Sequence, residues 1–426
     1  MAPAGDTIVA LSSGRPPAAI AVVRTSGPSA FAAAERIGGS LPPARKGVLR
    51  SLTDPSDGSL IDQAIVLRFD APASSTGENI VEYQCHGGRA TVDALIRALL
   101  EEPGMRLAQP GEFTRRALAN GRIDLTEAEG LADLLSAETE LQRRSAMARA
   151  GGAFRTRLEG WRNDLLALSA QAEVVIDYAD EGGEVPDLRP GLTQLAQEMS
   201  TLLDAPRVEP LRDGIRVVVA GPPNAGKSSL VNAVARNERA IVTPIPGTTR
   251  DIIEVPLSIG GVPFVLVDTA GLRDSSDEVE SIGIDLARQE LERADILLWL
   301  GVSSAAPDHP VVVRLAAKAD LPQHDPSNFD LAISSKTGQG IARLLELLAD
   351  RARELLPKGD ELALDRRQHD LLQTACSALE RGAALPDPVL IAEELRIARS
   401  SIDRISGRTG VENLLDALFG RFCLGK

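Results

Sequence analysis

Eight residues, Gly221-Pro-Pro-Asn-Ala-Gly-Lys-Ser228, narrow what this chain can fold into more than any others. They match G-x-x-x-x-G-K-[ST] and stand between a short apolar run, Ile215-Arg-Val-Val-Val-Ala220, and a segment from Ser229 to Val234 that opens a helix. A strand, a glycine loop and a helix in that order make a phosphate cradle. Gly221 and Gly226 let backbone N–H groups turn inward at the positive end of the helix. Lys227 neutralises charge on the β- and γ-phosphates, and the Ser228 hydroxyl offers a ligand to Mg²⁺. Such a loop belongs to an α/β domain, and residues 215 to 356 alternate strands and helices as that requires.

Downstream segments fit the same chemistry. Pro246-Gly-Thr-Thr-Arg-Asp251 is a polar loop whose Thr249 supplies a second Mg²⁺ ligand. Phe264-Val-Leu-Val-Asp-Thr-Ala-Gly271 is an apolar strand that ends in an acid and a glycine, placing Asp268 towards Mg²⁺ and the Gly271 N–H towards the γ-phosphate. This order resembles Ras-like GTPases of the translation-factor type, which implies a guanine-reading N-K-x-D followed by S-A-K. Here those read Ala317-Lys-Ala-Asp320 and Ser334-Ser-Lys336. Asp320 keeps the bidentate acceptor for guanine, whereas Ala317 lacks the amide that steadies the base loop, so weaker nucleotide binding is expected. The nucleotide contacts expected are Asn224, Ala225, Gly226, Lys227, Ser228, Ser229, Thr243, Thr248, Thr249, Asp268, Thr269, Ala270, Gly271, Lys318, Asp320, Ser334, Ser335 and Lys336.

Leu272 follows the Asp-Thr-Ala-Gly segment where Ras-type enzymes carry the glutamine that orients water, and an aliphatic chain cannot do that work. Two devices are offered in its place. The Asn224 side chain, the carbonyls of Thr243 and Ile245 and the Thr248 hydroxyl could hold K⁺, adding positive charge beside the phosphates. Glu280, in the run Asp277-Glu-Val-Glu280, could supply a carboxylate to a bridging water. As a bare sequence that run reads as a solvated charged surface.

With 426 residues, two to four domains are expected. The 43% hydrophobic and 25% charged composition is that of an ordinary water-soluble chain, and 3% aromatics point to helical packing rather than an all-β fold. No apolar run approaches membrane-spanning length and the N-terminus lacks a signal-peptide pattern, so a cytoplasmic location without membrane contact is expected. Cys85, Cys376 and Cys423 lie far apart without metal-ligand spacing. A net charge of −14 excludes a surface coated for nucleic-acid binding but leaves room for a local basic patch.

The N-terminal part up to about residue 118 reads as α+β. Strands are expected at Thr7–Leu11, Ala18–Arg24, Gln63–Phe69 and Asn79–Cys85, and a helix at Arg89–Glu101. From about residue 125 the pattern is helical, with a capping box at Thr126 and Glu129 and one break near Gly151-Gly152. Asp180 to Pro186 is a polar breaker, and further helices are expected at Pro190–Asp204, Leu362–Arg381, Val389–Ile405 and Val411–Phe422. The helical stretches on either side of the α/β segment suit an insertion at a loop between them.

The chain ends Phe422-Cys-Leu-Gly-Lys426. A lone cysteine there is ordinarily a buried thiol, and Lys is a poor last residue for prenylation. Taken with the inserted GTPase segment, this tail closely resembles the C-x-G-K terminus of the MnmE (TrmE) family of tRNA modification GTPases. The resemblance extends through Asp6-Thr-Ile-Val-Ala, Thr76-Gly-Glu, His86-Gly-Gly, Gln109-Pro-Gly-Glu-Phe-Thr, Asp124-Leu-Thr-Glu-Ala-Glu and the GTPase motifs, in that order. It implies a multidomain α+β and α/β chain of four segments. These are a tetrahydrofolate-binding-like α+β dimerisation domain at 1–118, a discontinuous all-α helical domain at 119–211 and 357–426, and a Ras-like GTPase domain at 212–356.

The resemblance also implies a K⁺-dependent GTPase activated by contact between the GTPase domains of a homodimer, with Glu280 as the catalytic carboxylate. With an FAD- and NADH-using partner, MnmG (GidA), in a heterotetramer or larger assembly, the family adds an aminomethyl or carboxymethylaminomethyl group to C5 of the wobble uridine of certain tRNAs. The one-carbon unit comes from a 5,10-methylene- or 5-formyl-tetrahydrofolate. The folate contacts carry over to Arg24, Glu82, Arg122 and Lys426, and a catalytic role in the modification to Cys423. Arg122 stands where relatives often carry Lys, which keeps the charge but not the geometry. A regulatory GTPase that binds ribosomal RNA, and a P-loop ATPase, are the other classes; the folate-type N-terminal segment and the tail argue against the first, and Asp320 with Ser334-Ser-Lys336 against the second.

Overall fold

The computed structural model describes residues 5–177, 186–237, 239–240, 253–268, 289–321, 328–357, 362–409, 412–420, 422 and 425. Two compact units are present. One comprises Met1–Ala132, Gly152–Glu159 and Asp403–Lys426, the other Asp133–Gly151 and Gly160–Ile402.

The first unit is built on a six-stranded sheet in the order β3-β4-β5-β2-β1-β6, from β1 (Thr7–Leu11), β2 (Ile20–Ser26), β3 (Val48–Thr53), β4 (Leu60–Phe69), β5 (Ile80–His86) and β6 (Met105–Leu107). All neighbours pair antiparallel except β1 and β6. Period-two alternation sends Val9, Val23, Val66, Val81 and Tyr83 to one face, where they are covered by α1 (Ala30–Gly38) and α2 (Arg89–Leu100) through Ile37, Leu95 and Leu99. Helix α3 (Glu112–Ala119) contributes Phe113 to a separate cluster with Ile8, Ala10 and Ala108. A third apolar cluster joins Leu125 and Ala128 to Leu418, Phe419 and Phe422 near the chain end.

The expected strands are present, the first with the expected ends and the other three with shifted ends. The second runs through Thr25 and Ser26, buried polar residues whose hydroxyls donate to Val81 O at 3.4 Å and Glu78 Oε2 at 2.7 Å. Satisfied polar groups of this kind hide a strand from a hydrophobicity pattern. Helix α1 was not expected because its buried side is mostly Ala30, Ala33 and Ala34, and α3 because it buries Glu112 and Thr114.

The helical region corrects the sequence reading in two places. The capping box of α4 (Leu125–Ser136) is formed by Asp124 and Glu127, not by Thr126 and Glu129. Asp124 Oδ1 accepts from the Glu127 N–H at 2.9 Å and Glu127 Oε2 from the Asp124 N–H at 2.8 Å, while Thr126 lies inside the helix and donates to Asp124. The first carboxylate in the segment outcompetes the hydroxyl because it can accept both bonds. A second break, before the one at Gly151-Gly152, separates α4 from α5 (Glu140–Ala150), where Thr139 and Gln142 form a capping box. The long α6 (Ala153–Asp177) follows.

In the second unit, a seven-stranded sheet has the order β13-β12-β11-β7-β10-β9-β8. Its strands are β7 (Ile215–Ala220), β8 (Arg239–Ala240), β9 (Ile253–Ile259), β10 (Val262–Asp268), β11 (Ile296–Trp299), β12 (Val312–Ala316) and β13 (Leu331–Ala332). Strands β7, β10, β11, β12 and β13 pair parallel, while β9 and β8 turn antiparallel at one edge. Val217, Val219, Leu266, Leu298 and Leu315 form a core with α9 (Lys227–Asn237) and α10 (Ile341–Leu355). Flanking this segment in sequence are α7 (Arg189–Leu203), the short α8 (Glu209–Asp213), α11 (Arg366–Ala384) and α12 (Pro388–Ile405). Helices α7 and α11 pack on each other, burying Leu192, Leu195 and Met199 against Leu372, Ala375 and Leu379, with the Cys376 thiol donating to Ala196 O at 3.4 Å. Each fully buried leucine there contributes about 1.5–3 kcal/mol. Helix α11 starts at Arg366, four residues later than expected, because Asp365 and Gln368 cap it. The last helix of the chain, α13 (Glu412–Phe419), lies in the first unit.

Candidate functional site

The phosphate cradle follows β7, which is flanked by β10 on one side and β11 on the other, both parallel to it. The loop therefore leaves from the carboxyl edge of the strands at a change in strand order, where α/β sheets bind ligands. Gly221 has φ 151°, and a Cβ there would sit 3.2–3.3 Å from the backbone and side chain of Leu300, so only glycine fits. Asn224 adopts the left-handed region at φ 60°, which asparagine tolerates better than most residues. Ala225 is half-buried against the sheet core and Gly226 has φ 102°. Lys227 opens α9, is buried, and donates from Nζ to the carbonyls of Gly221 and Pro222 at 3.1 Å each, so its ammonium spans the mouth of the loop. Ser228 and Ser229 are exposed in the first turn of that helix.

Asp268 closes β10 at 2% exposure, with Val219 as its partner across the ladder, two residues before the loop begins. A buried carboxylate beside the helix N-terminus that carries the Ser228 hydroxyl is a hard oxygen donor set, and it suits Mg²⁺ with the remaining positions filled by water and phosphate.

The base loop lies at the ends of β12 and β13. Ser334, fully buried, donates from Oγ to Asp320 Oδ1 at 2.7 Å. That hydroxyl, the Asp320 N–H and the nearby Lys336 charge hold the exposed Asp320 carboxyl below the ordinary value, so it stays ionised to accept from a base edge. Ser335 and Lys336 follow on the same turn, half-buried and exposed. Ala317 packs against the sheet core, and the backbone carries the steadying work: Ala319 N–H donates to Ile333 O at 3.0 Å and Ile333 N–H to Ala316 O at 2.8 Å. Lys318, also left-handed at φ 61°, donates from Nζ to the Asn224 carbonyl at 3.0 Å and so joins the base loop to the cradle. The structure thus places Asn224, Ala225, Gly226, Lys227, Ser228, Ser229, Asp268, Lys318, Asp320, Ser334, Ser335 and Lys336 at or just after the carboxyl ends of strands of one sheet. Thr243, Ile245, Thr248, Thr249, Thr269, Ala270, Gly271, Leu272 and Glu280 lie outside the described residues. Of the expected K⁺ ligands, only Asn224 is described.

In the first unit, Arg24 on β2 stands directly opposite Glu82 on β5. Arg24 Nε and Nη2 both approach Glu82 Oε1, at 2.8 and 2.7 Å, leaving Oε2 to accept from another donor. A pterin presents an amide N–H and an amino group side by side, and a half-engaged carboxylate beside a guanidinium fits that edge. Arg122, exposed and without an ion-pair partner among the described residues, suits the carboxylates of a folate tail. Lys426 and Cys423 lie outside the described residues, but their neighbour Gly425 does not. Ser12 donates from Oγ to Gly425 O at 2.8 Å, and a Cβ on Gly425 would overlap Leu11 O and sit 2.8 Å from Ser12 Cα. The tail glycine is therefore seated at the end of β1, whose Ala10 pairs with Arg24. Sequence reasoning gave no role to Ser12, Gly77 or Phe113. The quoted motifs held the last two, but only the fold reveals their contacts.

Two family descriptions match the chain: "MnmE helical domain" over residues 125–423 and "GTP-binding protein TrmE N-terminus" over residues 7–122. The tRNA modification GTPase MnmE of Erythrobacter litoralis is 52% identical over 427 residues, covering 99% of this chain and 100% of the relative. The protein of the same name from Novosphingobium aromaticivorans is 50% identical over 435 residues, covering 99% and 100%. Among solved structures, the G domain of the T. maritima FeoB iron transporter aligns over 33% of this chain and 98% of its own at 26% identity, with a TM-score of 0.24.

Proposed function

This chain belongs to the MnmE (TrmE) family of tRNA modification GTPases, and from that premise we propose that it hydrolyses GTP as one half of a complex that modifies the wobble uridine of certain tRNAs. The observation that carries this reading is the likeness along the whole length, which takes in the phosphate cradle and the tail together. GTP is held by Lys227 and the inward-turned amides of the cradle, and its base is read by Asp320, held in place by Ser334. Ser228 and Thr249 would hold Mg²⁺, whose charge would neutralise the β- and γ-phosphates. Leu272 cannot orient water, so Glu280 takes that part. Asn224, Thr243, Ile245 and Thr248 would hold K⁺, which would add positive charge beside the phosphates, and contact with the GTPase domain of a second copy would accelerate hydrolysis.

The division into a folate-type domain at 1–118, a helical domain at 119–211 and 357–426 and a GTPase domain at 212–356 belongs to the same reading. A homodimer through the N-terminal sheet is supported by exposed Ile20, Leu49 and Ile65, which alternate onto the open face with Arg24 and Glu82. There, a reduced folate is held by Arg24, Glu82, Arg122 and Lys426, and when bound it supplies the one-carbon unit. Cys423 takes part in the modification, with an FAD-dependent MnmG-type partner providing the redox chemistry. Among the described residues no helix is long and apolar enough to cross a membrane, and the reading places the protein in the cytoplasm with its tRNA.

Reconstitution tests it. The purified chain, its flavoprotein partner with FAD and NADH, GTP, Mg²⁺, K⁺, methylene-tetrahydrofolate as the carbon donor, ammonium as the nitrogen donor and unmodified tRNA should together yield a 5-aminomethyl-type uridine by nucleoside mass spectrometry. Product formed equally well without this chain would refute the proposal.

A further inference from the structure

Both described cations of the folate rim rest on one piece of structure. The Arg24 guanidinium lies over the ring of Phe113, with Cζ 5.6 Å from its centroid, and Phe113 is 3% exposed near the start of α3. The ring is too deeply buried to touch a ligand, so what it can do is support Arg24 from beneath while Glu82 holds it from the side. At the other end of α3, the Arg122 N–H donates to Ala117 O at 2.8 Å, and the Arg122 stem packs on Gly77. Gly77 has φ 79°, and a Cβ there would sit 2.9 Å from Asn120 Cβ and 3.3 Å from Arg122 Cγ. Only glycine lets this turn and the arginine stem approach so closely.

The turn and the helix are locked together by polar contacts. Arg116 on α3 donates from Nη1 to both oxygens of Glu78, at 3.2 and 3.0 Å, and from Nη2 to Asp6 at 2.6 Å. Asn120 Nδ2 donates to Thr76 O at 2.7 Å, and Ser26 Oγ donates to Glu78 at 2.7 Å. Glu112 takes Arg106 Nη1 at 2.8 Å and Arg116 Nη2 at 3.2 Å, fixing the first turn that carries Phe113.

We infer that α3 and the turn at Thr76-Gly77-Glu78 form a brace that sets Arg24 and Arg122 for an anionic pterin ligand, with Phe113 and Gly77 as its positioning residues. This rests on the proposed folate site, and neither residue touches the ligand. Phe113→Leu keeps a buried apolar side chain but removes the aromatic face, and Gly77→Ala adds one methyl group against the Arg122 stem.

The test measures 5-formyltetrahydrofolate affinity by calorimetry on the full chain, with GTP turnover and thermal midpoint as controls, and limited trypsin cleavage after Arg122. Each variant should bind about tenfold more weakly, Phe113→Tyr should restore affinity, and Gly77→Ala should speed cleavage after Arg122 several-fold, with GTP turnover unchanged. Wild-type affinity in Phe113→Leu, or wild-type cleavage in Gly77→Ala, would overturn the brace. A wild-type chain that binds no folate would instead sink the folate reading, and the cleavage rate would still decide whether Gly77 sets Arg122.

Discussion

At the scale of single residues, the motifs of the candidate nucleotide site are local chemical necessities, which is why the sequence alone could propose them. The cradle is contiguous in sequence, and glycines at Gly221 and Gly226 are demanded by positive backbone angles, reinforced at Gly221 by the approach of Leu300. The base loop was legible only in part. Asp320 could be read directly, whereas its hydroxyl partner Ser334 is fourteen residues away and the Lys318 bond to Asn224 spans ninety-four. If Asp320 reads guanine through paired N–H groups, Asp320→Asn, which turns an acceptor into a donor, should reverse the preference from GTP to XTP by at least ~10²-fold in competition binding. At the tail, Gly425→Ala forces a Cβ into the backbone of Leu11 and Ser12. It should abolish wobble-uridine modification while leaving GTP turnover within about twofold of wild type, since the two sites are chemically separate. Loss of GTP turnover would assign Gly425 a role in the nucleotide site.

At the scale of elements, helices with a continuous apolar stripe were legible and those that bury polar groups were not. Helix α3 escaped because Glu112 looks like a surface acid, yet its side chain is buried and paired. Burial pushes Glu112 upward, but hydrogen bonds from Arg106, the Gln109 N–H and Arg116 outweigh it and hold the carboxyl below its ordinary 4.5. A depressed acid contributes stability that is complete above its unfolded pKa and is lost as pH falls through the folded one. Glu112→Gln should therefore cost about 3 kcal/mol at pH 7 by leaving two guanidiniums short of a charge, and the gap to wild type should narrow below pH ~4. Urea unfolding as a function of pH measures this, and a gap independent of pH would show that the charge contributes nothing. Capping boxes were misread for a related reason: the motif recurs in register two residues apart, and only geometry selects Asp124. At α11 the cap is unambiguous, and Asp365→Ala should lower stability by about 1 kcal/mol.

At the scale of the whole molecule, the phosphate cradle and the residues proposed to hold folate lie in separate compact units, and neither by itself identifies a tRNA-modifying enzyme. The order of motifs along 426 residues does, and the family was legible because each motif is short and local. Contacts such as Ser12 with Gly425, 413 residues apart, were not, because no local pattern encodes them. The proposed K⁺-dependent activation belongs to this scale, since it works through contact with a second copy: replacing K⁺ by Na⁺ should slow GTP turnover ~10-fold or more, and Glu280→Ala should slow it about 10²-fold with nucleotide affinity retained. Equal rates in both salts would remove the cation from the mechanism. The most direct test of the central claim is nucleoside mass spectrometry of tRNA from cells lacking this protein, with wild-type and Cys423→Ser chains returned. 5-Aminomethyl-type wobble uridines should disappear, return with the wild type, and fail to return with Cys423→Ser; their persistence in the deleted cells would contradict a role in tRNA modification.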